Sequence, residues 1–110
     1  MSASERRQSQ RISFISTAIL RYGNQHTLEA RVDTRDISLQ GVFVQTEQRI
    51  ALDTPCNLEI HLIGSTSAMD FKARGVVQRH DATGMGIAFT HLDPDSYLHI
   101  LNLVKLHAAT

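Results

Sequence analysis

Met69-Asp70-Phe71-Lys72-Ala73-Arg74-Gly75-Val76-Val77-Gln78 is the stretch that decides the architecture. Apolar Met69, Phe71, Ala73 and Val77 alternate with polar Asp70, Lys72, Arg74 and Gln78. Successive side chains of a strand point to opposite faces, so a period of two describes a strand with one buried and one wet face. A helix would need its apolar residues three and four apart. The same rhythm runs to either side. Leu28, Ala30 and Val32 alternate with Glu29, Arg31 and Asp33, and Leu58, Ile60 and Leu62 enclose Glu59 and His61. Met85, Ile87 and Phe89 alternate with Gly86, Ala88 and Thr90. Ile12–Tyr22 and Val42–Gln45 read as strands with weaker alternation.

Turn signals separate these segments at Gly23-Asn24, Gln40-Gly41, Gly64-Ser65 and from Asp81 to Gly84. The gaps are too short for helical crossovers, so the strands pair antiparallel. About six short antiparallel strands must curl to cover a core and protect their edges, which predicts a mainly β protein built as a small six-stranded barrel. The period then changes. Asp93-Pro94-Asp95 starts a helix, with Asp93 as N-cap, Pro94 in the first turn and Asp95 at the positive end of the dipole. Tyr97, Ile100, Leu101 and Val104 recur at helical spacing, and Leu98, Leu103 and Leu106 widen the apolar face. Such a helix is expected to pack on a barrel mouth or on another subunit, so a monomer and a homodimer are both open. His99 and Asp95, four apart, are expected to form a surface pair.

The chain has 110 residues, enough for one domain. Its first eleven residues hold Arg6, Arg7 and Arg11 against the single acid Glu5 and carry almost nothing to bury. Residues 1–11 are therefore expected to be a flexible basic arm, and residues 12–110 the barrel with its helix. Eleven basic and eleven acidic side chains give a formal net charge of zero, which speaks against a nucleic-acid binder. The one cysteine, Cys56, can form no internal disulfide, and packing is its expected role. No apolar run approaches the ~18 residues of a membrane span, and the N-terminus is polar where a signal peptide is apolar. A cytoplasmic protein without membrane insertion is the simplest expectation. The six histidines form no familiar ligand cluster, so no metal or cofactor is expected. No nucleophile–base set stands out, so neither is enzymatic activity.

Two short motifs carry chemistry. One is Arg7-Gln8-Ser9-Gln10-Arg11, preceded by Arg6; the other is Asp36-Ile37-Ser38-Leu39-Gln40-Gly41, between two strands. Each has a local explanation: basic tails are usually solvated, and Asp, Ser and Gly favour turns. Spacing and composition by themselves indicate only an anion or nucleotide site.

The combination is more specific. An arginine pair before a barrel, with Asp-x-Ser-x-x-Gly one hairpin later, resembles the PilZ domain family. The likeness extends through Ala73-Arg74-Gly75-Val76-Val77 and Gly84-Met85-Gly86-Ile87-Ala88-Phe89 to the terminal helix, roughly Glu5 to Leu106. The resemblance implies a receptor for cyclic di-GMP, a ligand with two phosphates and two guanines. It assigns Arg7 and Arg11 to phosphate and guanine contacts, for which the planar guanidinium fork is suited. It assigns Asp36 to the guanine N1 and N2 donors, Ser38 to a contact beside it, and Gly41 to a turn or a close backbone approach. Arg6 either meets a second, intercalated nucleotide or faces solvent. Arg31, Arg35 and Arg74 stay outside this set. The implied function is a ligand-gated adaptor that orders its arm on binding and signals to an effector protein. The alternative is an interaction module that does not use the nucleotide.

Overall fold

The computed structural model describes residues 15–64 and 68–109. Among them the alternating segments form six strands: β1 (Ile15–Tyr22), β2 (His26–Arg31), β3 (Gly41–Gln45), β4 (Pro55–Ile63), β5 (Ala68–Asp81) and β6 (Gly84–Leu92). Helix α1 (Pro94–Ala109) follows. The strands close into an antiparallel barrel in the order β1-β2-β3-β6-β5-β4. The expected six-stranded barrel with a terminal helix is the observed fold. No helix among the described residues is long and apolar enough to cross a membrane.

Alternation places the core. Ala18 and Leu20, Leu28 and Ala30, Val42 and Val44, Leu58, Ile60 and Leu62, Phe71 and Val77, and Met85 and Ile87 all turn inward and are buried. Two long-range ladders close the ring. β1 pairs with β4 from Ile15↔Ile63 to Tyr22↔Cys56, and β3 pairs with β6 from Gly41↔Ala88 to Gln45↔Gly84. β5 serves two neighbours: its first part lies on β4, from Ala68 to Val76, and its second on β6, from Ala73 to Asp81. Register shifts at Arg74/Gly75 and Val77/Arg79 allow this strand to coil around the barrel. The thinnest join is β2 to β3, which meet only at Arg31↔Gln45. Between them the chain leaves the sheet, makes a 3-10 turn at Thr34–Asp36, and returns through the bridge Ile37↔Val42.

Helix α1 begins as the sequence indicates. Asp93 Oδ1 accepts the Ser96 N–H at 2.7 Å, satisfying an orphan donor of the first turn. These bonds to Ser96 hold the Asp93 carboxyl below its ordinary value. The cap is therefore fully present above the usual carboxylate range and weakens as pH falls through it. Ser96 is itself buried, and its Oγ accepts the Lys72 N–H at 2.9 Å, pinning the first turn to β5. That pin sets the rotation of the helix. Ile100 and Leu103 follow on the same face, and both are 0% exposed. Tyr97 and Leu98 instead face outward at 45% and 54% exposure. Of the expected stripe Ile100 is buried, Leu101 and Val104 are partly buried and Tyr97 faces outward; of the residues expected to widen it Leu103 is buried and Leu98 is exposed. The expected His99–Asp95 pair does not form: the half-buried His99 ring packs 5.7 Å from Phe71.

The helix therefore acts as a plug, and truncating its buried face opens a cavity. Leu103→Ala is expected to cost about 2–5 kcal/mol of stability. Leu98→Ala should stay within about 0.5 kcal/mol. Urea unfolding of the two variants checks the rotation of the helix directly; equal losses would contradict it.

Candidate functional site

The segment Asp33–Gly41 is a built loop. Asp33 accepts the Arg35 N–H on its side chain at 2.9 Å and the Asp36 N–H on its carbonyl at 2.9 Å, which fixes the 3-10 turn. Ile37 is buried at 3% exposure and anchors the loop in the core. Ser38 N–H donates to the Gly41 carbonyl at 2.9 Å, and Ser38 Oγ accepts the N–H groups of Gln40 and Gly41 at 3.2 and 3.3 Å. The Gln40 carbonyl takes the Phe89 N–H at 2.8 Å, tying the loop to β6. Helix α1 touches the 3-10 turn from the other side.

The three described residues of the Asp-x-Ser-x-x-Gly motif thus divide their labour. The Ser38 hydroxyl is occupied with its own turn. Gly41 is demanded by packing: a Cβ there would lie 2.2 Å from the Ile87 carbonyl oxygen. Of the turn and the ligand, the turn and the β3–β6 contact account for this glycine in full. Asp36 is exposed, and among the described residues its carboxylate has no hydrogen-bond or ion-pair partner. It is an acceptor held on a rigid turn and left open. Arg6, Arg7 and Arg11 lie outside the described residues. The Val32 N–H donates to the Ser16 carbonyl at 3.2 Å, so β1 begins beside the start of this loop.

The outer wall next to the loop has a feature that the sequence reading missed. Gly41 stands opposite Ala88, and Phe43 opposite Gly86, which also faces Arg79. Of this floor half-buried Ala88 is left open, whereas Gly86 is buried beneath the Arg79 side chain. At its edge the Arg79 guanidinium lies 5.3 Å from the centre of the Phe43 ring, a cation–π contact. A Cβ on Gly86 would come within 2.9 Å of Arg79 Cγ, so the glycine is what lets the arginine lie flat. Strict alternation from Val77 would turn Arg79 inward. The register shift between Val77 and Arg79 turns it out, and no sequence signal marks that bulge.

Other candidates sort plainly. Arg49 bonds to the carbonyls of Thr46, Gln48 and Asp81 at 3.2, 3.2 and 2.7 Å, locking the β5–β6 turn. Arg31 and Arg35 are exposed. Cys56 lies in the core, and burial pushes its thiol up to about 11. Among the described residues no group of three or more His, Cys, Asp or Glu side chains could hold a metal ion.

A small closed barrel, plugged by a helix and carrying an open carboxylate on a stiff loop, has the make-up of a binding module. The chain belongs to the PilZ domain family, whose model matches residues 5–106, a span that takes in Arg6, Arg7 and Arg11 as well as the barrel. PilZ domains are binding and adaptor modules, known for binding cyclic di-GMP. No curated protein matches the chain.

The division of labour within the motif can be measured without any ligand. Gly41→Ala should lower the melting temperature by at least about 5 °C, because overpacking against backbone costs roughly 1–3 kcal/mol. Asp36→Ala should leave the melting curve nearly unchanged, and a comparable loss there would make Asp36 a structural residue. For Cys56, a thiol held neutral by burial should react slowly with a disulfide reagent at pH 8 and rapidly in denaturant. Fast reaction in the native protein would contradict its core position.

Proposed function

We propose that this chain binds cyclic di-GMP on the outer wall of the barrel, between the Asp36–Gly41 loop and the arginines of the N-terminal segment, and signals the bound state to a partner protein. The observation that supports this most directly is the open Asp36 carboxylate, held on the 3-10 turn that Asp33 fixes, just before the turn that Ser38 closes. A carboxylate accepts only, so it matches the N1 and N2 donors of guanine and is mismatched to adenine, whose N1 is an acceptor. Arg79, lying over Gly86 beside Phe43, offers a guanidinium plane for stacking on a purine. Arg7 and Arg11 would supply the bidentate bonds to phosphate and to guanine O6 and N7. Arg6 would neutralise or stack on a second nucleotide if two are bound.

The loop also suggests how the bound state is passed on. It touches α1 and lies beside the start of β1, so a ligand held here would rest close to both. An arm closed over the nucleotide presents a surface that the free protein does not have. A second reading, an interaction module indifferent to the nucleotide, draws on one observation: packing and turn geometry explain Ser38 and Gly41 without any ligand.

Calorimetric titration with cyclic di-GMP, with GTP and cyclic GMP as controls, separates the two readings. Selective binding at micromolar affinity or better is expected, and the molar ratio decides between one and two nucleotides. Arg7→Ala or Arg11→Ala should each cost at least about 2 kcal/mol, roughly thirtyfold. Asp36→Ala should weaken binding with the fold intact, and Arg79→Ala should weaken it less. Wild-type protein that shows no binding by calorimetry and by a fluorescent-ligand assay would leave the interaction-module reading standing.

A further inference from the structure

A second feature of the outer wall lies away from the loop, across β1, β4, β5 and β6. The registers Arg21↔Asn57, Asn57↔Arg74 and Arg74↔His91 set these four residues side by side on consecutive strands. Strands are about 4.8 Å apart, so the row runs for roughly 14 Å. Lys72, on the same face of β5, adds a cation below Arg74. A pocket of ≈ 250 Å³ opens over this row, with Glu59 and Asp93 also in its lining.

Charge accounting shows what the pocket lacks. Both of its acids are occupied: Glu59 Oε1 is 2.8 Å from Arg21 Nη1, and Asp93 Oδ1 is held by the Ser96 N–H at 2.7 Å. The side chains of Lys72 and Arg74 are both on exposed residues, and among the described residues neither has a hydrogen-bond or ion-pair partner. Two uncommitted cations therefore face a recess whose carboxylates are already engaged, with the Asn57 amide between Arg21 and Arg74.

We propose that this pocket is a docking site for an acidic segment of a partner protein, with a carboxylate side chain seated between Lys72 and Arg74. Three observations favour a peptide over other anions. The row is several strands long, so a single phosphate would use only one end of it. Asn57 presents an amide that can both donate to and accept from a peptide backbone. Glu59 and Asp93 interrupt the positive surface, which a carboxylate-bearing side chain can avoid but a continuous phosphodiester backbone cannot. The site is separate from the proposed nucleotide site: Arg74 and Arg79 are about 16 Å apart along β5 at strand rise. The inference stands whether or not the nucleotide binds.

The test is a titration of ¹⁵N-labelled full-length protein with a capped oligoglutamate peptide, with oligothymidylate and inorganic polyphosphate in parallel. Amide shifts are expected at Arg21, Asn57, Lys72, Arg74 and His91. The Lys72→Glu, Arg74→Glu double variant should bind the peptide at least about tenfold more weakly, and Arg31→Ala should bind it as the wild type does. All these side chains are exposed, and the wild-type shift map decides the location even if the double variant melts early. Absence of peptide binding, or shifts confined to the 36–41 loop, would overturn the proposal. Tighter binding of oligothymidylate or polyphosphate than of the peptide would equally overturn it, in favour of a phosphate polymer.

Discussion

A closed sheet has no free edge, and that requirement governs most of what is described here. Six strands must each find two neighbours, and in this chain one join is made with almost nothing: β2 and β3 share the single pair Arg31↔Gln45. The nine residues from Val32 to Gln40 span the gap instead of pairing across it. They are held by the 3-10 turn, by buried Ile37 and by the Ser38 turn. The motif loop is thus the piece that completes the barrel where the ladder fails. A site placed there gains backbone that is shaped by its own bonds and is not consumed by sheet pairing.

That origin explains why the motif is partly structural. Ser38 closes the turn, and Gly41 lets β3 lie against β6 without meeting the Ile87 carbonyl. Asp36 is then carried on a frame that does not need its side chain. A carboxylate fixed in this way loses little conformational freedom when it meets a ligand, which is the advantage of preorganisation. The glycine opposite Phe43, Gly86, makes the room that the Arg79 side chain fills, and Arg79 lies flat against the Phe43 ring.

The strands and the helix start were legible in the sequence because each is a local pattern. Leu58-Glu59-Ile60-His61-Leu62 can only be a half-buried strand, and Asp93-Pro94 can only open a helix. What was not legible depends on a contact between distant segments. The Ser96–Lys72 bond sets the rotation of α1, so polar Ser96 is buried with Ile100 and Leu103 while Tyr97, expected inside, faces outward. Phe71 takes His99 from its surface pairing with Asp95. The bulge in β5 reverses the face of Arg79. The three arginines of the N-terminal segment fall within the family match, and their roles rest on the chemistry of guanidinium with phosphate and guanine.

The order of strands around the ring has a consequence for how the molecule comes into being. β3 has its long ladder only with β6, from Gly41↔Ala88 onward, although β4 and β5 intervene in the chain. A nascent polypeptide that has emerged as far as Ile63 can form the β1–β2 hairpin and add β4 to it, but β3 is still waiting. Closure must follow the synthesis of β6, and α1, which seals the end, is made after it. Folding is thereby deferred until β6 has been made and is governed by distant pairings, the slow regime for domains of this size. Until then the sheet has open edges, and its protection during synthesis is a matter for the cell and not for the fold.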